Sequence, residues 1–122
     1  MAKRKTKKVA ARALGKRSSG GTGKLPKEAV TLIVILRAKE GQEALLEAEL
    51  RALITPTRRE DGCLTYDLHR GMEAQGTFLL HEVWASREHH RLHTKTPHFL
   101  RWDARKDALL EAREGTFWRQ LA

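Results

Sequence analysis

Between residues 29 and 122, apolar side chains recur with two different periods, and the change of period marks the elements. Val30-Thr31-Leu32-Ile33-Val34-Ile35-Leu36 is β-branched and apolar at both parities, the pattern of a strand buried on two sides. From Glu43 to Ile54, Leu46, Leu50 and Leu53 fall on one helical face, with Glu43, Glu47 and Arg51 on the other. Glu47 and Arg51 also stand at the favourable i, i+4 spacing, and Pro56 is expected to end the helix. Asp61-Gly62 marks a turn, after which Cys63 to His69 alternates with Leu64, Tyr66 and Leu68 on one face. Arg70 to Gly76 reads as a polar connection to a third strand, Thr77 to Trp84, that forms an antiparallel hairpin with the second.

Ser86 ahead of Arg87-Glu88 is a helix cap with an acid in the first turn, opening a short helix through Leu92 and His93. Thr96-Pro97 repeats the device and opens another helix, with Phe99, Trp102, Leu109 and Leu110 turned inward and Gly115 as its stop. Thr116 to Leu121 is long enough for a last strand. The order β-α-β-β-α-α-β predicts an α+β, ferredoxin-like fold, a four-stranded antiparallel sheet with helices on one face. Strands apolar on both faces then need a second cover. A chain of 122 residues has room for one domain of ordinary size, and a domain so small gains stability from a large partner interface.

Charge is unevenly placed. Residues 1–28 hold ten Lys or Arg against the single acid Glu28, whereas residues 29–122 balance 14 basic against 14 acidic side chains. The basic segment has no aromatic residue and runs through Ser18-Ser19-Gly20-Gly21, a composition too poor in apolar area to offset the entropy of ordering it, so a disordered tail is expected. Such a tail suits nonspecific contact with nucleic acid or another anionic surface by counterion release. A targeting peptide and an accident of start-site choice are the other readings; the lack of an apolar core argues against a secretory signal. The longest apolar run, Leu32 to Leu36, is far short of the roughly 20 residues that a bilayer span needs. The lone Cys63 cannot close an internal disulfide, which fits a reducing, cytoplasmic setting and a role as small apolar filler.

Three strings, Gly62-Cys63-Leu64-Thr65-Tyr66-Asp67-Leu68-His69-Arg70, Phe78-Leu79-Leu80-His81-Glu82-Val83-Trp84-Ala85-Ser86 and His93-Thr94-Lys95-Thr96-Pro97-His98-Phe99, resemble the antibiotic biosynthesis monooxygenase family, especially its quinol-oxidising branch. The resemblance covers residues 30 to 121. It implies a homodimer in which two sheets face each other as a dimeric α+β barrel, each protomer keeping a pocket between sheet and helices. It also implies oxygenation without flavin, haem or metal: an electron-rich phenol or quinol loses a proton in a dry pocket, and its anion passes an electron to dioxygen.

That chemistry needs a base near neutral pH, a donor for the oxyanion and aromatic walls that exclude water. His98, in the first turn of the Thr96-Pro97 helix, is the expected base, and Tyr66 the expected donor. Trp84, Glu82, His93 and Phe99 are the expected pocket residues; Glu82, not His81, shares a strand face with Trp84. Plain structural roles compete. Tyr66 and Trp84 suit a core, His98 a helix cap, and His93 a bond to a backbone carbonyl, while His89 and His90 read as solvent-exposed. His89 and His93 lie one turn apart, yet a third ligand and the HExxH spacing are missing, so no metal and no cofactor is expected. Haem degradation fits poorly, because Val34 and Asp103 stand where haem-degrading relatives carry Asn and His. Two functions follow: a cofactor-independent monooxygenase for a small quinol-like or polyphenolic substrate, or a non-oxygenase isomerase or small-metabolite binder of the same fold. Deleting residues 1–28 should leave the melting temperature unchanged while abolishing low-salt retention on heparin; unfolding on deletion would make the segment a structural arm.

Overall fold

In the computed structural model, which describes residues 25–122, the two apolar periods resolve into seven elements. They are β1 (Val30–Ala38), α1 (Glu43–Arg58), β2 (Cys63–Arg70), β3 (Thr77–Trp84), α2 (Arg87–His93), α3 (Pro97–Leu109) and β4 (Leu110–Trp118). The expected basic tail lies outside the described residues except for residues 25–28. The strands form one sheet in the order β2-β3-β1-β4, each neighbouring pair antiparallel, which is the ferredoxin-like arrangement. The two most apolar strands, β1 and β3, occupy its centre.

Register determines which side chains meet. Val34 stands opposite Leu80 on one side and Gly115 on the other, and Tyr66 stands opposite Glu82. Val30, Leu32, Val34, Leu36 and Ala38 therefore share the helix-covered face and are buried with Leu46, Leu50 and Leu53 of α1 and Trp102 of α3. Burying each large side chain of this set contributes about 1.5–3 kcal/mol. The opposite face carries Ile33, Ile35 and Leu79 with no helix over it, and Ile35 is 40% exposed in the single chain. No helix among the described residues is long and apolar enough to cross a membrane.

Four local expectations are corrected. Helix α1 passes through Pro56 and ends at Arg58, because proline in the last turn removes only one i→i−4 bond, and the added residues bury Thr57 beside Leu53. Leu64 does not share a face with Tyr66 and Leu68: the pairing steps from Cys63↔Trp84 to Thr65↔Val83, a bulge that turns partly buried Cys63 toward the core and leaves Leu64 exposed. The last strand begins at Leu110, directly from α3, so Leu110 lies in β4. Gly115 stands within that strand instead of ending a helix, and the Arg113 guanidinium lies over the space where a Cβ would be. Neither His89 nor His90 is solvent-exposed; both are half-buried, for reasons that belong to the site.

Candidate functional site

The turn after α1 sets the geometry. The Arg59 N–H donates to the Pro56 carbonyl, the Glu60 N–H donates to the Thr57 carbonyl, and the Cys63 N–H donates back to the Glu60 carbonyl, so Glu60 is held at a tight reversal. Gly62 completes it at φ +81°, where a Cβ would fall 2.3 Å from the His89 ring, so only glycine permits this approach. The Ala85 N–H donates to the Gly62 carbonyl. His89 is half-buried because it packs on Gly62, with Nδ1 2.8 Å from Ser86 Oγ. The beginning of α2 is thereby pinned to the turn, and its last residue, His93, is brought to Glu60.

Glu60 joins two histidines through one oxygen. His93 Nδ1 lies 2.8 Å and His98 Nε2 2.6 Å from Glu60 Oε2. His93 is 2% exposed at its side chain, Glu60 12% and His98 22%, so the carboxylate is shielded and its hydration is replaced by two ring donors. His98 Nε2 also lies 3.2 Å from Thr96 Oγ1, the hydroxyl that accepts from the Phe99 N–H to cap α3. Around His93 stand Trp84, Phe99, Tyr66 and His90, with ring centroids 4.8, 5.0, 5.7 and 5.8 Å away. The three ligand-capable atoms of Glu60, His93 and His98 lie within 4.8 Å of one another.

A cavity of about 100 Å³ lies between the sheet and the helices. Leu32, Val34, Leu36 and Leu80 line it from the sheet, with Tyr66, Glu82, His90, His93, Phe99 and Arg113 around them. Four expected site residues, Tyr66, Glu82, His93 and Phe99, thus meet in one cavity. Trp84 is fully buried behind the lining, against His93. His98 also stands outside the lining and reaches the cavity only through Glu60 and His93. Sequence reasoning passed over Glu60, His90 and Arg113. Glu60 was hidden because its partners lie 33 and 38 residues along the chain; the one available sign was an acid beside a turn glycine.

Burial and neighbouring charge tune the lining. Burial drives the Tyr66 phenol well above its ordinary range, reinforced by the charge of Glu82, so the hydroxyl keeps its proton. Burial lowers His90 to about 4, with the charges of His93, Arg87 and Arg113 acting the same way, so its ring is neutral at pH 7. Burial raises Glu82 to about 7 against the hydrogen bond that Trp84 Nε1 donates to its Oε1 at 2.9 Å. Burial also keeps the Cys63 thiol protonated and unreactive. Arg113, at the mouth, forms no ion pair among the described residues.

Glu82 and His90 imply opposite pH dependences. Glu82 binds its proton more tightly when folded, so its contribution is complete below about pH 4.5 and is lost as pH rises through about 7. His90 binds its proton less tightly when folded, so its contribution is complete above about 6.5 and is lost as pH falls through about 4. Between pH 4.5 and 7.5, Glu82→Gln should therefore gain about 3 kcal/mol of stability relative to the unmodified chain, read from paired urea melts. A gap that stays constant with pH would show that Glu82 is ionised throughout.

Known proteins share this architecture. The family model described as antibiotic biosynthesis monooxygenase matches residues 29–105. A Mycobacterium tuberculosis protein named "Putative monooxygenase Rv0793" is 37% identical over 81 residues, 66% of this chain and 79% of that protein. The crystal structure of PA3566 from Pseudomonas aeruginosa superposes with a TM-score of 0.76 at 38% identity, over 79% of this chain and 97% of that one. The structure of Rv0793 gives a TM-score of 0.74 at 33% identity, over 78% of this chain and 97% of that one. The elements, the sheet order and these matches agree: the chain belongs to the antibiotic biosynthesis monooxygenase family.

Proposed function

We propose that the protein is a cofactor-independent monooxygenase that oxidises a small quinol-like or polyphenolic substrate with dioxygen. The observation that carries this reading is a small, mostly apolar cavity with two imidazoles in its wall, His90 and His93, the second held from behind by the shielded Glu60 carboxylate. His93 is one step nearer the cavity than His98, so we assign the base to His93. Its Nδ1–H donates to Glu60, which leaves Nε2 with a lone pair and no partner among the described residues. Glu60 stabilises the imidazolium that forms when Nε2 takes a substrate proton, the role a carboxylate plays behind the histidine of a hydrolase triad. His98 is the positioning residue that holds Glu60, and Tyr66, kept protonated, is the donor for the phenolate.

The reaction balances with dioxygen as the only co-reactant. The phenolate gives one electron to dioxygen, the resulting radicals join at a ring carbon, and loss of water leaves a quinone. One oxygen atom stays on the ring and the other departs in water. A cavity of about 100 Å³ is small beside the roughly 300–1,000 Å³ of sites for drug-sized ligands, which favours single-ring diols and triols among such substrates. Phe99, with Trp84 behind His93, keeps the proton acceptor dry.

An oxygen electrode with a panel of hydroquinones tests the assignment. Steady consumption should appear with a single-ring member, and His93→Gln should lower turnover by roughly 10² to 10⁴, the usual worth of a positioned base. His98→Ala should lower it less, because Glu60 remains. Saturable binding without oxygen consumption by any member would favour the isomerase or metabolite-binding reading.

We also propose a homodimer through the open face of the sheet, where Ile33, Ile35 and Leu79 have no cover within the chain. Sedimentation equilibrium at micromolar concentration should give twice the chain mass, and Ile35→Asp should give the chain mass while staying folded. A native chain that sediments as a monomer would remove the basis for the barrel.

A further inference from the structure

We propose that Glu60, His93 and His98 form a binding site for one divalent transition-metal ion of the zinc type, seated behind the cavity wall and acting as an off-switch for the base. The ligand atoms come from three separate places, the turn after α1, the end of α2 and the first turn of α3, and lie within 4.8 Å of one another. His93 Nδ1 and His98 Nε2 flank Glu60 Oε2 at 2.8 and 2.6 Å. A tetrahedral ion at about 2.0–2.2 Å from each atom needs ligand separations of roughly 3.4 Å, so the side chains must shift by roughly 0.5–1 Å to enclose it. Two imidazoles and one carboxylate are a donor set for zinc-like cations, whereas calcium and magnesium prefer all-oxygen shells. His98, the most exposed of the three, lies on the solvent side, where water can complete a tetrahedral shell.

The surrounding geometry separates this ion from the substrate. His93 lines the cavity, whereas Glu60 and His98 do not, so an ion on His93 Nδ1 occupies the far side of the ring. Each neutral imidazole can bind the ion by moving its proton to its other nitrogen, so the exchange needs no oxidant and no added base. His93 then carries its proton on Nε2, and the nitrogen that faces the cavity becomes a donor unable to accept a substrate proton. Binding stands on the three side chains alone, while the switching rests on the assignment of His93 as base.

Calorimetric titration of the chelator-treated full chain with Zn²⁺ alone tests the site, and titration with Co²⁺ reads the coordination shell through its visible absorption. One ion per chain is expected. Glu60→Gln and His98→Ala, each verified as folded by circular dichroism, should weaken binding beyond about 100-fold, the upper range for loss of a mere outer-shell partner. His98→Gln replaces His98→Ala if the latter does not fold, and His69→Ala, at an exposed position of β2 away from the site, should bind as the unmodified chain does. No binding at about 100 μM Zn²⁺, an affinity of only about 5.5 kcal/mol, would overturn the site, as would unchanged binding in the His98 variant. Bound Zn²⁺ that leaves quinol-dependent oxygen consumption intact would overturn the switch. Zn²⁺ binding in a chain that oxidises no quinol would instead keep the site and discard the function proposed above.

Discussion

A carboxylate taken out of water costs several kcal/mol unless other donors replace its hydration, and at Glu60 two imidazoles do so through one oxygen. The rest of the site depends on that arrangement. It ties the turn after α1 to the end of α2 and the beginning of α3, three segments that otherwise meet through apolar packing and caps. It also fixes the orientation of His93, which stands among Trp84, Tyr66, Phe99 and His90 as part of the cavity wall. Without Glu60, two shielded rings would lose their common acceptor and His93 would lose the contact that orients it in the wall.

The fold was readable because its signals are local. The 3.6-residue spacing of Leu46, Leu50 and Leu53, the caps at Ser86 and Thr96 and the apolar run of β1 each act within a few residues, and together they define the order of elements. The misplaced boundaries occur where tertiary contact outweighs local preference. Pro56 stays helical because the residues after it bury Thr57, and β4 starts at Leu110 because Ala38 pairs with it. The bulge at Cys63 and Leu64 moves a whole side chain from one face to the other, which no period-two pattern reveals.

The site was readable in part for the same reason. Strand parity placed Glu82 with Trp84, and the hydrogen bond between them follows from that shared face. Tyr66, His93 and Phe99 line the cavity. The relation of His93 and His98 to Glu60 was not readable, since it joins segments more than 30 residues apart and sits beside a glycine whose role is to admit His89. The helical pair that spacing did suggest, His89 and His93, is divided by the fold: His89 turns to Ser86 and Gly62, His93 to Glu60.

The central claim is that Glu60 holds the proton of His93 on Nδ1 and leaves Nε2 free to accept. A long-range ¹H–¹⁵N correlation spectrum of the chelator-treated protein at neutral pH reads this directly, because the protonated and unprotonated ring nitrogens resonate far apart. The account predicts that His93 carries its proton on Nδ1 and that Glu60→Gln disturbs this tautomer. A proton on Nε2 in the unmodified protein would contradict it, since the cavity would then face a donor and the base would have to lie elsewhere.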